Sequence, residues 1–372
     1  MSQRYVGLMS GTSLDGADAV VAEFADGRRP IVLGAAHVPF DDALRETFLA
    51  LQTAGEDELA RAAIAANRLV DVYADAVARA LADASLDAGD VRAIGAHGLT
   101  VRHRPDLGFT IQINAPARLV EATGITVVAD LRSRDVAAGG QGAPLLPGFH
   151  ATAFRHPSRH RLVVNIGGMS NVTDLPCEPD APVRGWDCGP GNVLLDGWIR
   201  ARRGAAYDEA GRWAESGRVD DALLARLLAE PWFELAPPKS TGRDLFGVAW
   251  LAAHLDAAGR VEPADVQATL AELTARTIAD SVLRHAGAID DAIVCGGGAY
   301  NLDLLARLRR LFGPATTVMP CSSEAAGAWR PEHIEALGFA WLAKRCLDGE
   351  PGNLPSVTGA AGPRILGAIH RR

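Results

Sequence analysis

Between residues 57 and 84 apolar side chains return every three or four positions: Leu59, Ala62, Ala63, Ala66, Leu69, Val70, Tyr73, Val77 and Leu81. That spacing lines one stripe of a helix, so a helix over Asp57 to Ala84 is predicted, with Gly89 beyond its end. A second stripe, Val266, Leu270, Leu273, Ile278 and Val282, predicts a helix from about Pro263 to His285. Pro331 to Leu347 reads differently. From Ile334 to Ala343 nearly every residue is apolar, the mark of a helix buried on most sides. Glu335 is its exception. A carboxylate there needs a partner to offset desolvation, either an arginine or a ligand. Shorter apolar runs predict strands at Val91 to Ala96, Phe109 to Ile113 and Ile125 to Ala129. Between the last two, Ala115 to Ala122 is a helix closed by Gly124.

Two stretches break the pattern in the same way. Tyr5 to Phe24, YVGLMSGTSLDGADAVVAEF, is an apolar strand, a polar turn and a second β-capable run. The turn crowds Ser10, Gly11, Thr12, Ser13, Leu14, Asp15 and Gly16 together, with Ala17 and Asp18 following. Its many N–H and hydroxyl donors suit phosphate, and an ordinary hairpin bonded to itself is the other reading. Arg161 to Leu175, RLVVNIGGMSNVTDL, repeats the design about 155 positions later, with Asn165, Gly167 and Gly168 at the turn. Two such hairpins predict two similar domains, each presenting one hairpin. They are expected to grip a nucleotide's phosphates from both sides and to close on ligand as a hinge.

Other polar positions cluster at predicted strand ends. His97, Arg102, His103 and Arg104 read as the rim of a site. Asp130 and Arg132 follow a strand at its carboxyl end, where α/β folds place ligands; a surface ion pair is the alternative. Ala137 to Pro147, AAGGQGAPLLP, reads as an ordered loop or a domain crossover. In GWDCGPGN, Asp187 lies between Trp186 and a Gly-Pro-Gly turn, and Asn192 is expected to cap the next helix. A carboxylate placed there serves either as a general base or as a helix cap. PPKSTG, followed by Arg243, Asp244 and Phe246, is another polar loop. Ile293 to Cys295 forms a strand that meets Gly296, Gly297 and Gly298, after which Asn301 caps a helix. Strand, glycines and helix start make a nucleotide-contact geometry.

Composition narrows the function classes. A chain of 372 residues exceeds what one core usually serves. A net charge of −8 leaves no general affinity for nucleic acid or an anionic membrane. The start of the chain enters a strand with no signal-like segment, and no apolar run approaches the roughly 20 residues of a membrane helix. Five cysteines with no metal-type pairing point to a reducing cytoplasm. Lys239 and Lys344 are the only lysines. No G-x-x-x-x-G-K-[ST] occurs, so a nucleotide would be held by backbone amides, hydroxyls, Mg²⁺ and arginine.

GLMSGTSLDGAD, AHGLTVRHRP, DLRSRDVAAGGQGAPLLP, NIGGMSNVTDL, WDCGPGN, PPKSTGRDLF, CGGGAYN and EALGFAWLA occur in this order along the chain. Together they resemble the anhydro-N-acetylmuramic acid kinase family from end to end. The resemblance implies an α/β protein of two actin-like (ribonuclease-H-like) domains with a nucleotide cleft between them. It implies ATP and Mg²⁺ as cofactors and a 1,6-anhydro amino sugar as substrate. Water would open the sugar while O6 is phosphorylated, giving N-acetylmuramic acid 6-phosphate in cell-wall sugar recycling. Gly11 to Asp18 match the ATP phosphate hairpin, Asp187 the catalytic base, Arg132 and Glu335 positions near the sugar, and Gly296 to Gly298 the nucleotide-contact glycines. His97 and Asp130 join the sugar side, and Asn165, Gly167 and Gly168 the nucleotide side; the metal ligands are left open. Three positions depart from the pattern: Cys188 for Thr, Leu99 for Gln and Leu131 for Phe. Cys188 touches the catalytic loop and so bears on its geometry. Residues 1–130 with about 348–372 are expected to form the first domain and 131–347 the second. Partners are ATP and the sugar, with neither nucleic acid nor membrane; a homodimer is compatible with the reading. Alternatives are a kinase for another anhydro sugar such as levoglucosan, or a non-catalytic sugar-binding regulator.

Overall fold

The computed structural model describes residues 2–11, 14–25, 28–242 and 245–372. The strands in chain order begin with β1 (Gln3–Met9), β2 (Gly16–Phe24), β3 (Ile31–Pro39), β4 (Ala93–Ala96), β5 (Leu99–Arg104), β6 (Phe109–Ile113) and β7 (Val127–Ala129). They continue with β8 (Arg161–Ile166), β9 (Met169–Leu175), β10 (Arg184–Pro190), β11 (Asp291–Cys295), β12 (Thr317–Pro320) and β13 (Ala368–His370). The chain divides into two compact units, Met1–Ala153 with Glu332–Arg372, and Phe154–Pro331.

Each unit is built on the same sheet. In the first the order is β13-β7-β4-β1-β2-β3, and in the second β10-β9-β8-β11-β12. β1–β2–β3 and β8–β9–β10 are antiparallel meanders, while β4 and β7, like β11 and β12, add on in parallel. Apart from β13, which adds antiparallel to β7 at the edge of the first sheet, the two units share one strand order and one set of strand directions, the actin-like arrangement that the paired hairpins predict. The strands β1, β4, β8 and β11 are buried almost throughout, as expected of parallel strands covered on both faces. A separate two-stranded ribbon, β5–β6, carries Arg102, His103 and Arg104.

The striped segments fold as helices. Glu58–Asp83 buries Ala66, Leu69, Val70, Tyr73, Val77 and Leu81 on the first sheet, and Pro263–His285 has the bounds its sequence predicts. Pro116–Thr123 ends at Gly124 with φ of 68°, a left-handed cap that glycine adopts without strain. Asn301 accepts the Leu304 N–H at 3.0 Å, the cap expected of it. Asn192 differs. Gly191 holds the N-cap position of Asn192–Arg203, and the Asn192 amide instead donates to the Ile166 carbonyl at 3.1 Å.

The almost wholly apolar segment forms the helix His333–Leu347, which lies directly against β1 and β4. A Cβ on Gly7 would stand 1.7 Å from the Ala336 carbonyl oxygen, and one on Gly95 2.0 Å from that of Phe339. Only glycine lets helix and sheet approach so closely. This packing also corrects the expected domain boundary. The helix belongs to the first unit, as do residues 131–153, because each is fastened to that unit's sheet or to the C-terminal segment. No helix among the described residues is long and apolar enough to cross a membrane.

Candidate active site

In the first unit the hairpin β1–β2 closes through a turn in which the Leu14 N–H donates to the Gly11 carbonyl at 3.2 Å and Leu14 takes φ of 55°. Thr12 and Ser13 lie outside the described residues. The Ser10 hydroxyl is buried and committed inward: it lies 2.7 Å from the Tyr73 hydroxyl and 2.9 Å from the Gly98 carbonyl oxygen. Gly16 owes its identity to packing, since a Cβ there would lie 2.5 Å from the Val38 carbonyl oxygen. Ala17 is buried beside it in β2. Asp15 is exposed. Asp18 accepts from or pairs with His37 Nδ1 at 2.8 Å, and burial pushes its carboxyl above the usual range.

His97 and Arg132 meet at the end of β4. Arg132 Nε and Nη2 lie 3.1 and 2.9 Å from His97 Nε2, and Arg132 Nη1 donates to the Gly142 carbonyl at 2.8 Å. An arginine only donates, so His97 Nε2 must be the acceptor. The ring proton therefore sits on Nδ1, 3.3 Å from the Ser10 carbonyl oxygen. Burial, and then the Arg132 charge, hold the His97 pKa down to about 3, so the ring is neutral. Both of its nitrogens are engaged, and its ring centre lies 4.8 Å from that of Phe339, the two rings tilted by 46°. His97 thus holds Arg132 in place and reaches a ligand only by giving up one of these bonds.

Burial pulls the Arg132 guanidinium down to about 10, against the opposing charges of Glu335 and Asp135. The helix His333–Leu347 brings Glu335, half-buried, into the field of Arg132 across some 200 residues of sequence. Asp130, exposed with φ of 54°, does not pair with Arg132, whose donors go to His97 and Gly142. A non-glycine residue held in that conformation at a strand end is strained, a feature that clusters at functional sites.

In the second unit, the hairpin β8–β9 turns at Gly167 and Gly168. Their carbonyls accept the N–H groups of Asn192 (2.8 Å), Gly191 (2.9 Å) and Val193 (3.1 Å). The start of the helix Asn192–Arg203 is therefore tied to the hairpin. The glycines after β11 lie against the same strand end. A Cβ on Gly296 would meet Asn165 Oδ1 at 2.6 Å, and one on Gly298 would meet Ile166 Cβ at 2.4 Å. Gly297 differs, since its nearest neighbour would be the Asn192 amide at 3.4 Å. Only Gly297 among the three presents open backbone.

Asp187 lies on β10, where the register against β9 shifts between Asp187 and Gly189. Its Oδ2 accepts the Thr241 N–H at 2.9 Å, and its own N–H donates to the Lys239 carbonyl at 3.1 Å. The loop 239–241 thus brackets the residue from both sides, and the helix-cap reading is excluded. Burial pushes the carboxyl up to about 6, against the Thr241 N–H and the Lys239 charge. Lys239 is itself held, donating to the Phe233 carbonyl at 3.1 Å and lying 4.3 Å over the Trp232 ring.

Strand alternation sends the neighbours of Asp187 the other way. Trp186 is buried with its indole N–H on the Ser281 hydroxyl at 2.8 Å. Cys188 is buried too, its thiol pushed up to about 12. The indole therefore turns away from the carboxylate beside it in sequence, and Cys188 is an inert core side chain.

A family model described as anhydro-N-acetylmuramic acid kinase matches residues 3–372. The chain is 55% identical to the anhydro-N-acetylmuramic acid kinase of Cupriavidus pinatubonensis, over 99% of this chain and 98% of that one. It is 53% identical to the one from Ralstonia nicotianae, over 100% and 98%, and 54% identical to the one from Bordetella pertussis, over 98% and 95%. The chain belongs to the anhydro-N-acetylmuramic acid kinase family. It is accordingly a phosphotransferase, and the non-catalytic reading falls away.

Sequence reasoning missed several residues of this family member's site region. Asp135, Asn353 and Thr358 form a buried knot beside Arg132, with members more than 200 positions apart, so no local pattern marks them. The Lys239–Thr241 bracket lies in a loop whose polarity is visible but whose partner is not. Arg243 and Asp244 of that loop lie outside the described residues.

Proposed function

We propose that the protein uses ATP to convert 1,6-anhydro-N-acetylmuramic acid and water into N-acetylmuramic acid 6-phosphate, with Asp187 as general base. The observation that carries the assignment is the carboxyl of Asp187, pinned at one oxygen by Thr241 N–H and raised to about 6 by burial. A base poised near the working pH is what proton abstraction needs. With Oδ2 occupied, Oδ1 takes the proton from water. The water oxygen bonds to C1 of the sugar, and the C1–O6 bond breaks. O6 accepts the γ-phosphoryl group as its bond to the β-phosphate oxygen breaks and ADP leaves. Thr241 also keeps a buried hydroxyl with no partner among the described residues, a group suited to holding that water.

The reading assigns Arg132, Glu335 and Asp130 to the sugar, with His97 as the support of Arg132. Gly297 and the hairpin backbones, Gly11 to Asp18 and Asn165 to Gly168, are assigned to ATP. Mg²⁺ belongs to the proposal as well. Among the described residues no group of three or more His, Cys, Asp or Glu side chains could hold a metal. Magnesium needs no such group, since it keeps water and phosphate oxygens and takes one or two carboxylates. Asp18, which now pairs with His37 at 2.8 Å and has the Asp15 and Glu332 charges nearby, is suited to supply one by exchanging that partner for the ion. When bound, the ion would neutralise phosphate charge. Among the described residues no cysteine is in a disulfide, which fits a cytoplasmic setting.

Incubation with ATP, Mg²⁺ and a panel of anhydro sugars, read by mass spectrometry, tests the proposal. A phosphorylated, hydrated product is expected from 1,6-anhydro-N-acetylmuramic acid; turnover of levoglucosan alone would reject it. The nucleotide side has its own test. A Cβ at Gly297 meets only the Asn192 amide, at 3.4 Å, so Gly297→Val is expected to fold while its branched side chain covers the open backbone. ATP affinity is expected to fall about tenfold or more while the melting temperature holds. Unchanged ATP binding, by calorimetry, would remove Gly297 from the nucleotide site.

A further inference from the structure

The loop 137–147 and the C-terminal segment 350–364 have no part in the chemistry above, yet they meet at one buried carboxylate. Asp135 is wholly buried. Its Oδ1 accepts from Asn353 Nδ2 at 2.6 Å and from the Thr358 hydroxyl at 2.8 Å, and its Oδ2 accepts the Gly142 N–H at 2.8 Å. Asn353 and Thr358 are buried as well. Gly142 is thereby fixed, and its carbonyl is the acceptor of Arg132 Nη1. Gly140 must be glycine here, because a Cβ would fall 2.2 Å from Asp135 Oδ2. A buried carboxylate with three donors is costly to disturb, since each bond lost leaves a desolvated oxygen unpaired.

We propose that Asp135, held by Asn353 and Thr358, is the positioning residue for Arg132, and that the C-terminal segment thereby sets the geometry of sugar recognition. The proposal rests on the sugar-side reading of Arg132. Arg132 is gripped from two directions, by His97 and by Gly142. A guanidinium recognises a ligand by a planar fork of donors, so its value depends on orientation. Gly142 supplies that orientation only while Asp135 holds the loop, and Asp135 is held by residues 218 and 223 positions away.

Thr358→Val keeps the shape and removes one donor. The sugar KM is expected to rise about fivefold or more, the equivalent of one buried hydrogen bond, with the ATP KM unchanged. Thr358→Ser restores the donor and should match the parent. Asp135→Asn places an amide against donors and should act more strongly; if it fails to fold, the Thr358 pair decides. A second readout does not depend on the sugar. In the protein labelled at arginine with ¹⁵N, the Arg132 Nε–H resonance, assigned by its loss in Arg132→Lys, should be sharp and slow to exchange. In Thr358→Val it should broaden or exchange faster. An unchanged Arg132 resonance overturns the positioning role. A changed resonance with an unchanged sugar KM upholds it and rejects the sugar-side reading instead.

Discussion

Asp187→Asn is expected to lower turnover by at least about 10²-fold, the lower end of what a general base supplies, with ATP affinity little changed. Asparagine keeps an oxygen for the Thr241 N–H and fills the same space, so the loop 239–241 stays in place. What it lacks is the proton-accepting oxygen. The parent should carry an acid limb in its pH profile. With the carboxyl pushed up to about 6, Asp187 is ionised and active above that pH. Activity is lost as pH falls through it, and the limb disappears from the residual rate of the variant. The identity of the deprotonated group follows from the substrate. In a 1,6-anhydro sugar O6 is tied to C1 and has no proton to give, so the base must act on water. Heavy-oxygen water should place its label on C1 and leave the new phosphate ester unlabelled. Label missing from C1 would refute water attack there, and with it the role given to Asp187.

Gly7→Val is expected to cost at least about 3 kcal/mol, the upper end for overpacking, because the obstacle is backbone and not a side chain that can turn away. A Cβ at position 7 would overlap the Ala336 carbonyl at 1.7 Å. The helix His333–Leu347 must then lift from β1 and β4, exposing Ala336, Phe339 and Ala340, all buried in the parent. Against a typical total stability of about 5–15 kcal/mol, that is a large fraction. The melting transition should drop by several degrees or the protein should accumulate insoluble. The milder Gly7→Ala should follow in the same direction. A Gly7→Ala variant that melts with the parent would refute the close approach of helix and sheet at this position. Glu335 rides on that helix, so any folded fraction should also show a raised sugar KM.

The two cases sit on opposite sides of what local sequence can carry. Asp187 is legible because its neighbourhood is contiguous: a short strand, an acid and a glycine turn. Its strand neighbours mislead, since Trp186 and Cys188 follow the alternation of a strand into the core. The bracket that sets the carboxyl's environment comes from a loop some fifty residues on. Glu335 is legible as an anomaly, one acid in an apolar helix. The partner that acts on it, Arg132, is not, because helix and strand end are joined by the close approach at Gly7 and Gly95 rather than by any pattern near either residue. The expected domain boundary fails for the same reason.

By itself the sequence determined the periodic elements, the two glycine hairpins and hence two like domains, and the family, since each rests on residues adjacent along the chain. Local backbone preference and hydrophobic period act over a few residues, so they are written where they act. The tertiary structure alone decided that His97 supports Arg132, that Gly297 is the open glycine of its three, and that Cys188 faces the core. It alone decided that Asp135 is buried with Asn353 and Thr358. Each of those outcomes depends on which distant atoms fill the space beside a side chain, and burial and hydrogen bonding are properties of that space, not of the neighbours in sequence.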